Sequence, residues 1–324
     1  MNVKWILPML LLCSFLNTSC EKEYLIDDQV QESSAEEIVN SHTSSSMRLG
    51  DETSITNIDN PATHRGMYID GSNTIIGNTT KENELITYAA NKGINSFAFY
   101  GLKSVISSSS NYSKIASFLS RCSQNGITNF VYVVVYYPGS INGLDTTYIR
   151  KYNNSRSSSS EKFDGVNLEW EFWNGSTTWA TYLTTMKSFY NWTRAVSPNL
   201  CNEVYIGWFN NPSTIPQTMA NEIVRYCDRI LLHDYRVSPQ ASYMESRMSY
   251  LGLAALDQEK TKKIIVLFSA ESSFMGPYYS THSFNDAYQT IASQYTNADF
   301  SGKSGLRIYG WEIYKYSYAK QYRP

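Results

Sequence analysis

The chain is 324 residues long, with 27 basic and 29 acidic side chains and a formal net charge of −2. No basic run interrupts that balance, so a nucleic-acid partner is not expected. Aromatic residues make up 14% of the chain, including 26 Tyr and 7 Trp; their flat apolar faces with polar edges suit sugar rings as well as core packing.

The first twenty residues, MNVKWILPMLLLCSFLNTSC, hold one lysine, an apolar run from Trp5 to Leu16, and small residues leading to Cys20. That run is short for a membrane span and has the anatomy of a secretory signal. The residues before Cys20 resemble a bacterial lipobox, with Asn17 where an aliphatic residue is usual. The resemblance implies lipidation at Cys20, a mature protein tethered at the outer-membrane cell surface, and no other contact with the membrane. Ordinary cleavage and release is the alternative. Residues 21–62 carry ten acidic side chains against Lys22 and Arg48, among many Ser, Thr and Asn. So little apolar surface cannot offset the entropy of ordering, and this stretch is expected to be a disordered linker. Its acidity after the cysteine resembles the export signal of Bacteroidetes surface lipoproteins; a plain spacer is the other reading.

Residues 63–324 alternate strand-like and helix-like stretches. Strands are expected over 65–70, 95–101, 129–137, 163–172, 202–210, 229–235, 263–271 and 306–314. Helices are expected over 81–93, 111–126, 177–198, 215–227, 240–260 and 283–295, with a weaker Ser- and Asn-rich segment over 141–162. Asn125-Gly126 forms a helix-ending pair. Eight strands separated by seven helical segments match a single-domain (β/α)8 TIM barrel of the α/β class. A doubly wound open sheet is the main rival, but no Gly-rich dinucleotide loop follows any strand. No metal-ligand cluster is visible among the cysteines, so neither a cofactor nor a metal is expected. Cys122, Cys201 and Cys227 leave a Cys201–Cys227 disulfide as an open option.

The fourth strand, KFDGVNLEWEFWNG, is unusual. Asn167, Glu169 and Glu171 recur at every second residue and share one face, while Val166, Leu168 and Trp170 share the other. In a barrel the apolar face meets the helices and the acidic face lines the interior, with Glu171 at the carboxyl end where barrel enzymes carry their sites. Buried carboxylates without partners are expensive, so such a row implies shared protons, hydrogen bonds or chemistry.

These residues resemble the Asp-Gly-x-Asp-x-Asp-x-Glu signature of glycoside hydrolase family 18, the chitinases and endo-β-N-acetylglucosaminidases. Asp164-Gly165-Val166-Asn167-Leu168-Glu169-Trp170-Glu171 fits the frame, with Asn167 and Glu169 in place of two aspartates. The resemblance is specific at this motif alone. It implies substrate-assisted hydrolysis of a glycan or glycoprotein containing N-acetylglucosamine. The acetamido oxygen is then the nucleophile, Glu171 the general acid/base and Glu169 the group that orients the acetamide. Asp164 and Asn167 support the row from below, and repulsion from Glu169 raises the pKa of Glu171. The longer Glu169 side chain puts carboxylate placement in question, since errors near 1 Å can cost on the order of a hundredfold in rate. Tyr235, with Asp234 beside it in reversed order, resembles the family's acetamide-binding tyrosine, and Trp311 the tryptophan that floors the sugar subsite; either can equally be core. Tyr100, Tyr137, Trp208 and Asn210 stand at other strand ends as further cleft candidates.

The short interval from Glu271 to Leu306 leaves no room for an inserted domain, which resembles the compact endoglycosidases that cut the chitobiose core of N-linked glycans. Two rivals stay open. Glu171 and Glu271 occupy the places of acid and nucleophile in two-carboxylate barrel glycosidases. A degenerate barrel that only binds glycans is the non-enzymatic alternative, and retention of Glu171 argues against it.

Overall fold

In a computed structural model the described residues are 57–135, 144–175, 177–196, 200–210 and 214–322. Eight parallel strands close into one barrel in chain order: β1 (His64–Ile69), β2 (Ser96–Phe99), β3 (Asn129–Val135), β4 (Gly165–Glu169), β5 (Cys201–Ile206), β6 (Arg229–Asp234), β7 (Lys262–Ser269) and β8 (Leu306–Tyr314). Closure is made by β8 on β1, with Gly66 opposite Glu312. The crossover helices are α1 (Thr79–Asn91), α2 (Tyr112–Gln124), α3 (Leu144–Asn154), α4 (Trp179–Val196), α5 (Pro216–Arg225), α6 (Ala241–Asp257) and α7 (Phe284–Asn297). The expected (β/α)8 barrel is therefore the observed fold, and the Ser-rich segment supplies the third helix.

Local chemistry sets the helix ends. The Asn78 side chain accepts the Lys81 amide at the start of α1, and Ser283 with Asp286 forms a reciprocal capping box at α7. Pro216 opens α5, where its missing N–H is not needed. Asn125 and Gly126 close α2, with Gly126 at φ +83°. Residues 57–62, expected to belong to the linker, are instead part of the barrel's structure. Ile58 bridges Ile308, Asp59 pairs with Arg307 at 2.6 Å, and Ala62 is buried. Three apolar or paired side chains offset the polarity of this short run. Cys20 and the linker before residue 57 lie outside the described residues. Cys122, Cys201 and Cys227 are free thiols.

Two apolar layers result. The larger lies between strands and helices; the smaller fills the barrel with Tyr68, Ala98, Val131, Val133, Tyr205, Leu231, Ile265 and Leu267. Beneath the inner layer, the foot of the barrel is polar. Glu203 is fully buried and pairs with Arg229, which also reaches Asn129 at 3.4 Å. Asn167 donates to Glu203 at 3.3 Å. Across the closure, His64 and Glu312 meet at 2.9 Å. Burial drives His64 down to about 3 and Glu312 up to about 8, so a neutral imidazole shares one proton with a neutral acid. Gly66 leaves room for them: a Cβ there would stand 2.6 Å from both His64 Nε2 and Glu312 Oε2.

Removing one member of a buried ion pair strands its partner's charge. Arg229→Leu is expected to lower unfolding free energy by about 3–5 kcal/mol, and Arg229→Leu with Glu203→Leu to recover most of that loss. Urea unfolding of the wild type and both variants measures it.

Candidate active site

The inward parity of β4 delivers its odd-numbered residues to the barrel axis. Asn167 is fully buried in the middle, Glu169 is half-buried at the last strand position, and Glu171 follows on the segment leading into a tight turn over Phe172–Asn174. Strand pairing stops at Glu169, two residues before the acid, because the chain turns there. That turn lets Asn174 Nδ2 reach back to Glu171 Oε2 at 2.7 Å. Trp170 keeps the opposite parity and packs outward against Tyr182 of α4.

Neighbouring strands complete the mouth. The Tyr205 hydroxyl of β5 donates to Glu171 Oε1 at 3.2 Å and is tightly hydrogen-bonded to His233 Nε2 of β6. His233 lies tilted by 39° against Tyr235, ring centroids 3.5 Å apart, and Tyr235 lies 6.1 Å from Tyr314 at the end of β8. Tyr314 meets Tyr68 edge-on at 5.6 Å, and the Tyr68 hydroxyl donates to Asn167 Oδ1 at 3.4 Å. Trp173, half-buried, packs on Tyr205 at 5.5 Å. Its indole covers Gly207, where a Cβ would come within 2.7 Å of the ring. Tyr100 is half-buried against the same inner cluster.

Electrostatics follow from this enclosure. Burial raises the pKa of Glu171, while the Tyr205 and Asn174 hydrogen bonds pull it back. Burial and then the neighbouring Glu171 charge push Glu169 up to about 8, with Tyr68 opposing. The expected cause is thus displaced: burial lifts Glu171, and the repulsion between the acids falls on Glu169. Adjacent acids release protons in separate steps that belong to the pair, and with Glu169 pushed up to about 8 the pair keeps one proton through neutral pH. Among the described residues no group of His, Cys, Asp and Glu is arranged to hold a metal ion.

The structure brings together Glu171, Glu169, Asn167, Tyr235 and Tyr100. Asp164 does not join them. It lies five residues below Glu169, about 16 Å along the strand at ~3.3 Å per residue, and its carboxylate accepts the Phe130 amide at 2.8 Å. Burial lifts it to about 6. Asp234 has the outward parity of β6; it is fully buried behind the strand and accepts the Gln240 amide at 3.1 Å. Trp311 is likewise on the helix side of β8, wholly buried against Phe284 of α7, so it cannot floor a sugar site. Tyr314, three residues on, faces the mouth instead. Trp208 points to the outer side of β5, 40% exposed, resting on Arg247 with the guanidinium 4.5 Å from the ring centroid. Asn210 is exposed beyond the end of β5. Tyr137 lies outside the described residues. Glu271, past the end of β7, accepts the Ser269 hydroxyl at 3.0 Å.

Sequence reasoning missed Tyr68, Trp173, Tyr205, His233 and Tyr314. Strand parity was the available signal: on β8, polar Glu312 marks the inward phase, which includes Tyr314 and excludes Trp311.

Glu169 also links the site to stability. Its folded pKa, about 8, lies above the ordinary glutamate value near 4.5, so the native state holds the extra proton, and stability falls as pH rises from about 4.5 to 8. Glu169→Gln removes that dependence. Its stability relative to wild type should improve by on the order of 2 kcal/mol between pH 5 and pH 8, as read by urea unfolding at both pH values.

No family model matches the chain, and no curated protein does. Solved structures with the same barrel do. A family 18 chitinase from Pseudoalteromonas aurantia aligns at 14% identity and TM-score 0.44, covering 78% of this chain and 94% of its own. An endoglucanase catalytic domain from Thermobifida fusca aligns at 13% identity and TM-score 0.48, covering 79% of each chain. A thermostable xylanase mutant from Cellvibrio japonicus aligns at 13% identity and TM-score 0.49, covering 78% and 86%. At these identities the likeness is one of fold.

Proposed function

We propose that this chain is a glycoside hydrolase that cleaves β-1,4 linkages next to N-acetylglucosamine, in the chitobiose core of N-linked glycans or in chitin-like chains, by substrate-assisted retaining catalysis. One observation carries the reading: two half-buried carboxylates, Glu169 and Glu171, stand side by side at the carboxyl end of β4 in an aromatic mouth. Burial and the neighbouring Glu171 charge push Glu169 up to about 8, so one proton stays available to the pair near neutral pH.

In the first step the acetamido oxygen of the substrate bonds to the anomeric carbon as the glycosidic C–O bond breaks. The proton on Glu171 passes to the departing oxygen, leaving an oxazolinium ion. Glu169 takes the acetamide N–H and offsets the developing positive charge. In the second step Glu171, now ionised, removes a proton from water; the water oxygen bonds to the anomeric carbon and the ring reopens to the acetamide with net retention. Tyr235, Tyr314 and Trp173 offer aromatic faces for the sugar. Tethering through Cys20 at the cell surface would present this mouth to external glycoproteins.

Purified protein incubated with high-mannose and complex glycoproteins, read by mass spectrometry, is expected to leave a single N-acetylglucosamine on the asparagine. Glu171→Gln should lower kcat by about 10²–10⁴-fold while glycan binding persists. An oxazoline-mimicking thiazoline should inhibit. Labelling of Glu271 by a 2-fluoro glycoside would instead establish the two-carboxylate route, and binding without cleavage after long incubation would establish a lectin-like role.

A further inference from the structure

Tyr205 and His233 are two buried polar side chains with no role in the chemistry above, yet they are joined to its central acid. Tyr205 Oη reaches Glu171 Oε1 at 3.2 Å on one side and His233 Nε2 on the other. A hydroxyl has one hydrogen to give. An ionised carboxylate can only accept, so in its contact with charged Glu171 the Tyr205 hydroxyl gives its hydrogen and is left to receive from its other two neighbours, His233 and Tyr235. The short contact on the other side then requires His233 Nε2–H to donate to Tyr205 Oη. The imidazole is held to this task by packing: Tyr235 leans on it at 39° and Trp173 lies 6.5 Å away.

We propose that Tyr205 and His233 form a positioning pair for Glu171, in which the histidine N–H commits the tyrosine hydroxyl hydrogen to the carboxylate. The pair holds the Glu171 carboxylate in place and makes its charged form, the one that activates water, easier to reach. The proposal rests on Glu171 being the acid/base of the hydrolase reading. Neither member touches the reacting atoms; both act through Glu171.

The surroundings favour a fixed donor over a titrating one. His233 is faced by Tyr205 from β5, Tyr235 from its own strand, Trp173 from the turn after β4, and the field of Arg247 from α6. Burial, then Arg247, hold it well below the ordinary histidine range, so it stays neutral. Glu171 is faced by Tyr205, Asn174 and Glu169. A moved titration in this cluster therefore belongs to the carboxylates. The sign follows: losing a donor destabilises the charged carboxylate and raises its pKa.

The test is the titration of Glu171 by carboxyl 13C NMR, its signal assigned by its loss in Glu171→Gln, alongside the pH profile of kcat. Tyr205→Phe should move the Glu171 titration and the alkaline limb of the profile up by about one pH unit, the worth of one hydrogen bond to a charged group. His233→Leu should move both about half as far. His233→Gln, whose amide N–H replaces Nε2–H, should return them to within about 0.2 unit of wild type. An unmoved titration in folded Tyr205→Phe, or a His233→Gln protein indistinguishable from His233→Leu, overturns the proposal. Because the NMR titration needs no turnover, the two readings separate. A shifted titration in an inactive protein keeps the pair and removes the hydrolase, and an unshifted one in an active protein does the reverse.

Discussion

A carboxylate on the inner face of a closed barrel has no route to bulk water except through the mouth, and every ionisable group inside must find its compensation there. Moving a charge into such an interior costs several kcal/mol unless a partner or a retained proton removes the need. This chain uses both solutions at different heights. At the foot Glu203 is charged against Arg229, while His64 and Glu312 stay neutral and share a proton. At the mouth Glu169 and Glu171 are neighbours, and burial makes the pair hold a proton. Between the two lies an apolar plug of Ala98, Val131, Val133, Leu231, Ile265 and Leu267. The same residue type is thus ion-paired below the plug and holds a proton above it.

The plug parts the foot from the mouth except along one polar thread. The polar connection across it runs from the Tyr68 hydroxyl through Asn167 to Glu203, at 3.4 and 3.3 Å. Asn167 suits that position because an amide can accept from Tyr68 and donate to Glu203 at once. An aspartate there would add one more acid to an interior that already holds Glu169, Glu203 and Glu312. The departure from the family signature at this residue thus has a local electrostatic reason.

The aromatic content has two destinations. Trp311, Tyr182, Tyr279, Tyr288 and Tyr295 are fully buried among strands and helices, where they fill volume. Tyr68, Tyr100, Tyr205, Tyr235, Tyr314 and Trp173 belong to the inner cluster or pack against it. Residue type does not separate these groups; parity along the strand does. Trp311 and Asp234 match a signature by identity, but each lies one residue out of phase with the interior, and a shift of one residue along a strand turns a side chain to the other face. Asp164 fails for the same reason and for its height.

The sequence by itself determined the number and order of strands and helices, because alternation of apolar runs, turn residues and caps is local. It also determined that Asn167, Glu169 and Glu171 share a face, since a period of two needs no knowledge of neighbouring strands. Only the tertiary structure decided what surrounds them. Tyr205 reaches Glu171 across 34 positions, His233 reaches Tyr205 across 28, and Glu312 reaches His64 across 248. Contacts of that separation depend on closure of the barrel and on the register of each strand. The same closure withdraws water from the acids and leaves the proton where the proposed chemistry needs it.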